Sequence, residues 1–382
     1  MSEHDAVVVG GGLVGASTAY HLARNGTETL LIDREDEGRA TDAGAGIVFP
    51  ATSSRSASPT WFAFALEAAD YYPELAAALD GDDHGYARTG LLSVAVDPDE
   101  VDDYLEEKRR TERRTAERGR PRADRTAEIS AERARELYPP LADAERVTHY
   151  ADGARVDGRA FTAALCETGR SLGVTTERGD VTGIRVENGS VRGVTTAAGD
   201  AYDADAVVIA GGAWSPRFGA DLGVDVPVEP QRGQILHLDV GPLDAPRPSG
   251  EWPIVKAFRH QYQVPWPDGR VACGATRETG SGFAPSVTLE GLREVSTEAL
   301  RVAPGLADAR HVETRVGLRP ASPDGLPILG PVPSVEGAFL ATGHGPTGLT
   351  LGPYSGKLVA DAVRGVEPET DLKPFRVDRF GE

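Results

Sequence analysis

An apolar run, Ala6-Val7-Val8-Val9, breaks at Gly10-Gly11-Gly12-Leu13-Val14-Gly15 and gives way to a helix-forming stretch, Ala16 to Asn25. A second apolar run, Thr29-Leu30-Leu31-Ile32, follows and ends at Asp33. Strand, glycine turn, helix, strand and acid in this order and spacing form a βαβ unit that binds dinucleotides. Gly10 permits the tight turn, Gly12 lets a pyrophosphate approach the backbone, and Gly15 lets helix and strand pack closely. The helix N-terminus then faces the phosphates with unpaired N–H groups. Asp33 is placed to accept bonds from both ribose hydroxyls and would repel a 2′-phosphate, which disfavours NADP. The unit alone does not choose between NAD and FAD.

The chain has 382 residues, enough for two domains or one large α/β unit with an insertion. After the first unit, a highly charged stretch from Asp99 to Arg125 reads as a solvated helix and turn laced with ion pairs. Ser130 N-caps a short helix that Pro139-Pro140 stops, and Arg159 to Leu172 forms another helix. Strands around Val181–Val186 and Val191–Thr196 are joined by the Asn188-Gly189 turn. Ala206 to Trp214 is a buried strand running into glycines, Val226 to Arg277 is β-rich, and strand Gly337–Thr342 leads through Gly343 to Gly348 into a helix ending near Val363. Nucleotide-type segments therefore stand near the start, middle and end of the chain. The expected organisation is a discontinuous α/β Rossmann-like domain (1–52, 150–225 and 305–375) interrupted by an α+β mixed-sheet substrate domain (53–149 and 226–304), with a tail at 376–382.

Lys+Arg 40 against Asp+Glu 59 gives a net charge of −19, which argues against nucleic acid or an anionic membrane as partner. The basic set contains only four lysines, Lys108, Lys256, Lys357 and Lys373. Such an acidic, lysine-poor surface suits high salt, although a GC-rich genome also favours Arg, Ala, Asp and Gly. Cys166 and Cys273 are the only cysteines, and no His or Cys spacing suggests a metal site. The acidic start lacks a signal peptide's basic region and every long uncharged stretch is broken by Gly and Pro, so a cytoplasmic location is expected.

Several segments together resemble the D-amino acid oxidase/glycine oxidase family of flavoproteins. They are Val9 to Gly15 with Asp33-Arg34, Arg39 to Ile47, Val207 to Trp214, the turn Pro230 to Gln234, Gly317 to Pro320 with Asp324 to Pro327, and Gly343 to Gly356. The resemblance implies a glutathione-reductase-type Rossmann fold and a non-covalently held FAD. Some members attach the flavin to a cysteine near Leu318-Arg319, and this chain has none there. Carried over by position, Leu13 and Val14 line the pyrophosphate turn, while Asp33 and Arg34 hold the adenosine ribose. Ala40, Thr41, Ala45, Gly46 and Ile47 wrap the ribityl-phosphate and flavin, Val181 faces the adenine, and Gly211, Trp214 and Gly317 complete the cradle. The loop His344, Gly345, Pro346, Thr347, Gly348, Leu349 and Thr350 lies under the isoalloxazine. A Gly-rich loop feeding a helix at Gly352 also aims N–H groups and a positive helix end at one spot, as an anionic reduced flavin requires.

Arg319 precedes Pro320 in an otherwise apolar stretch and offers a planar fork for a carboxylate. The family places its substrate-carboxylate clamp here; an internal ion pair with Glu313 or Asp324 is the alternative. In the family the strand carrying Tyr262 faces the flavin and gives a tyrosine hydroxyl to the same carboxylate. Alternation would put His260, Tyr262 and Val264 on one face. The expected reaction is oxidation of the CH–NH bond of glycine, sarcosine or a D-amino acid, with the imine hydrolysing to a 2-oxo acid. A 2-hydroxy-acid dehydrogenase would instead need a base, for which His344 or His260 are the candidates. A non-catalytic flavin-binding subunit is the third reading. Oligomeric state is silent in the sequence.

Overall fold

The computed structural model describes residues 4–53, 58–81, 83–241 and 247–381. Its first sheet gathers strands from three distant parts of the chain. Thr29–Asp33, His4–Val9, Ala201–Ile209 and Ala338–Thr342 run parallel in that order, with Thr175–Arg178 outside Thr29–Asp33. Each inner strand is a run of aliphatic residues, as burial on both faces demands. Ile328–Pro331 closes one edge antiparallel to Ala338–Thr342. The hairpin Val181–Glu187 and Ser190–Thr196 turns at Asn188-Gly189, both with positive φ, and extends the sheet from the start of Ala201–Ile209.

Three helices cover one face of this sheet. Leu13–Arg24 starts at the glycine turn itself, three residues earlier than expected, and packs against Gly158–Ser171 and Gly348–Val363. The third of these begins at Gly348, where the glycine loop ends, and its first turn lies against that loop. Outside it lies Pro59–Ala78, a long helix absent from the sequence reading, whose Tyr72 hydroxyl donates to the Leu349 carbonyl.

The second sheet has nine strands. Its spine is the antiparallel pair Glu229–Asp239 and Arg310–Ala321, in which Gln231 stands opposite Arg319. The segment Pro230 to Gln234, expected as a turn, is therefore strand. Arg270–Gly274, Tyr262–Pro265 and Ile254–Ala257 continue the sheet beside Glu229–Asp239. One of its faces carries Leu289–Val302, packed against Leu236, Val255 and Cys273, while the helix Val101–Arg118 lies on the other face, against Ser93 and Lys256. That charged helix is solvated on most of its surface, yet Glu107 and Arg114 are buried. Glu107 pairs with Lys256 and accepts from Ser93, while Arg114 donates to the Ser53 carbonyl. Charge density alone hides these two because their partners come from remote segments. Residues 376–381, expected as a tail, include the 3-10 turn Val377–Phe380, where Arg379 pairs with Asp324. Among the described residues no helix is long and apolar enough to cross a membrane.

Candidate active site

The first sheet's strands end at an open cleft, about 1770 Å³ counting the solvent at its mouth, which extends to the second sheet. A site outside the carboxyl ends of parallel strands is where α/β folds bind ligands. At its inner end Gly10 has φ +108, and a Cβ there would lie 2.5 Å from the Ala210 carbonyl oxygen. Gly12 caps the following helix without any side-chain bond, and the Leu13 N–H donates to Thr41 Oγ1 at 3.1 Å. The charges at this end are paired. Asp33 accepts from Arg39 Nη1 at 2.5 Å, and Arg39 also reaches Asp42. Arg34 pairs with Asp36 and with Asp180, which Arg217 also holds at 2.8 Å, and the Arg34 guanidinium lies 5.8 Å from the Trp214 ring centroid.

In the middle of the cleft, Ala45-Gly46-Ile47 faces the first turn of helix Gly348–Val363, and Thr350 donates to the Ile47 carbonyl. Among the described residues no side-chain cap bond closes that helix N-terminus. His344 also lines the cleft, but its ring is buried, with Nε2 2.9 Å from Ser355 Oγ. The Ser355 hydroxyl donates to the Leu351 carbonyl, so it accepts from His344, which is then the neutral Nε2–H tautomer. Burial pushes the imidazole down to about 3. His344 is thus a poor base, which corrects the role set for it in hydroxy-acid chemistry.

At the outer end stands Arg319, half-buried, on the strand Arg310–Ala321. Backbone contacts pin this strand on both sides of it: the Leu318 N–H donates to the Gly38 carbonyl, and Ala321 bridges to His344. The guanidinium rests on Gly233 of the neighbouring strand, where any Cβ would collide with it. Its Nη1 donates to the carbonyls of Thr276 at 3.0 Å and Arg232 at 3.4 Å. Neither expected carboxylate is its partner, since Glu313 pairs with Arg315 and Asp324 with Arg379. Among the described residues Arg319 forms no ion pair. Desolvation lowers its pKa, and the neighbouring Tyr262 and Glu278 oppose that shift.

Tyr262 is half-buried beside Arg319, within hydrogen-bonding reach, its ring seated on Gly274, whose Cβ would lie 2.5 Å from the phenolic oxygen. Burial pushes this hydroxyl up to about 12 despite the nearby guanidinium. It stays a donor at any ordinary pH. His260 lines the cleft but is exposed in the turn before the strand, with φ +64. The alternation expected for His260, Tyr262 and Val264 therefore ends at Tyr262, because the hairpin reverses there.

Of the residues singled out in the sequence, Gly15 and Thr347 alone do not line this cleft. Gly15 packs on the Gly10 carbonyl and the Thr347 hydroxyl donates to the His344 carbonyl. The sequence reading missed, among others, the seats that Gly233 and Gly274 give the two polar groups, Asp180 and Arg217 at the inner end, and Arg277, a second guanidinium lining the cleft. A glycine inside a strand signals a close approach, which could have found the first two. Nothing in the sequence distinguishes Arg277 from other arginines.

A family model described as FAD dependent oxidoreductase matches residues 5–362. The uncharacterized oxidoreductase YurR of Bacillus subtilis is 40% identical over 97% of each chain. Glycine oxidase of Pseudomonas aeruginosa is 34% identical over 98% of each. In the solved structures, iminodiacetate oxidase from Chelativorans sp. BNC1 superposes with a TM-score of 0.91 at 38% identity, covering 97% of this chain and 98% of that one.

Proposed function

The chain belongs to the family of FAD-dependent oxidoreductases, and on that footing we propose that it oxidises the CH–NH bond of a small amino acid whose carboxylate is held by Arg319. FAD is its cofactor, and the cleft fits one. Absence of a Cβ at Gly10 and Gly12, the uncapped N-terminus after Gly12 and the pre-paired Asp33 and Arg34 suit a pyrophosphate and a ribose. Ala45 to Ile47 and the N–H groups at Gly348 to Thr350 would hold the flavin.

When bound, FAD supplies the two-electron acceptor for the substrate's Cα hydrogen and its bonding pair, leaving an imine that water hydrolyses to a 2-oxo acid. Arg319 would fix the carboxylate and with it the position of Cα, which is the larger part of what such a reaction needs from the protein. Tyr262 would donate its hydroxyl to the same carboxylate. No residue has to remove a proton from carbon, in keeping with a site whose buried histidine is neutral.

One observation carries the reading: a guanidinium facing the cofactor cleft whose partners among the described residues are two carbonyls and the neutral Tyr262 hydroxyl, none of them a carboxylate. The glycine oxidase and iminodiacetate oxidase to which the chain is similar act on carboxylate-bearing amines by name. The test is anaerobic bleaching of the flavin spectrum by glycine, sarcosine, D-alanine, iminodiacetate and D-aspartate against glycolate and D-lactate. Bleaching by amines alone is expected. Bleaching by the hydroxy acids alone would overturn the amine assignment, and bleaching by none would leave a flavin-binding subunit.

A further inference from the structure

Arg277 follows the strand Arg270–Gly274 and reaches the same end of the cleft as Arg319. Its neighbour Thr276 supplies the carbonyl that anchors Arg319, so the Arg319 guanidinium ends beside the backbone that carries Arg277. Arg277 is exposed and, among the described residues, has neither a hydrogen-bond nor an ion-pair partner. Desolvation and then the charge of Arg319 pull its pKa down, with Tyr262 opposing. The adjacent acid does not help: Glu278 is held by Arg232 at 2.6 Å, Gln234 at 2.7 Å and the Thr276 hydroxyl at 2.7 Å.

In a chain with 59 acidic and 40 basic residues, two neighbouring arginines without a carboxylate are an unspent double charge. A monocarboxylate on Arg319 would neutralise one and leave the other. We propose that the substrate carries a second carboxylate, held by Arg277 at the cleft mouth, so that the site takes an amine dicarboxylate rather than glycine or sarcosine. This rests on the reading of Arg319 as the first clamp. The second carboxylate belongs either to an N-carboxymethyl group or to an acidic amino-acid side chain.

Binding is tested on the FAD-loaded protein with a pair that differ only in the second carboxylate and lack an oxidisable amine, thiodiacetate and methylthioacetate, by calorimetry. A charge-assisted contact should make thiodiacetate about ten- to a hundredfold tighter. In Arg277→Gln that preference should collapse to about twofold, and Arg277→Lys should restore part of it. Anaerobic flavin reduction then locates the group: preference for iminodiacetate over sarcosine marks an N-carboxymethyl substrate, preference for D-aspartate over D-alanine a side-chain carboxylate. Equal affinity for the pair in the wild type, or a preference that survives Arg277→Gln, overturns the proposal. If glycine or sarcosine still bleaches the flavin in that case, the amine-oxidising reading stands without it. Failure of every amine to bleach it overturns both.

Discussion

The two ends of the cleft handle charge in opposite ways. The charged residues that line the cleft around Asp33 and Arg34 are paired, and Asp36, Arg39, Asp42, Asp180 and Arg217 complete a network before any ligand arrives. Around Arg319 and Arg277, among the described residues, no carboxylate is paired with either guanidinium. The first end suits a ribose and an adenine, which are uncharged and need directed hydrogen bonds. The second holds positive charge in reserve, which only an anion can discharge. On the proposed reading, specificity for cofactor and for substrate rests on different physics in one continuous space.

The largest expected effect breaks the first end. In Gly10→Val the side chain would stand 2.5 Å from the Ala210 oxygen on a backbone with φ +108, so the turn cannot close on a pyrophosphate. The purified variant should lack flavin absorbance; full retention would remove the dinucleotide turn from the account. Next comes the second end, where Arg319→Ala should weaken substrate binding by about two to three orders of magnitude, since breaking such a charged pair costs ~2–5 kcal/mol. Flavin content should survive, and Arg319→Lys should recover only part of the affinity. Half-saturation unchanged from wild type in flavin-reduction titrations would place the carboxylate elsewhere.

Gly233→Ala gives a finer cut. It keeps every charge but puts a methyl group where the Arg319 guanidinium lies, so half-saturation should rise by about tenfold while flavin content stays constant. If affinity is unaltered, charge alone suffices and the seat is irrelevant. The smallest effect concerns pH. Tyr262 is pushed up to about 12 and His344 down to about 3, so neither ionises between about pH 6 and about pH 9. The pH dependence of flavin reduction should follow the ammonium of whichever amine is used, and move when the amine is changed. An inflection that stays fixed across substrates would reveal an ionising protein group. His344 also links pH to stability. The unfolded chain takes up its proton near 6.5 and the folded one only near 3, so stability is full above 6.5 and falls as pH drops toward 3. His344→Asn should reduce that fall, to which His21 and His237, shifted down alike by burial, also contribute, and thermal denaturation across the range would measure the difference.

Local signals were legible wherever the chemistry is local. The glycine turn, the Asn188-Gly189 hairpin and the aliphatic strands of the first sheet each carry their own geometry in adjacent residues. Arg319 stood out because an arginine in an apolar stretch has few other uses. His260 was misplaced because alternation cannot reveal that a hairpin reverses at the next residue. Glu107 and Arg114 were misjudged because a helix's composition does not say which of its charges meets Lys256 or the Ser53 carbonyl.

By itself, then, the order of residues determined the dinucleotide turn, the parallel sheet drawn from separated segments and the presence of a guanidinium near Pro320, since each depends on neighbours in sequence or on burial period. Tertiary structure alone decided which arginines keep an acid. Glu313 goes to Arg315, Asp324 to Arg379 and Glu278 to Arg232, leaving Arg319 with carbonyls and Arg277 open to the cleft. Ion pairing depends on distances of a few ångströms between residues tens or hundreds apart in the chain, and only strand register and packing set those distances.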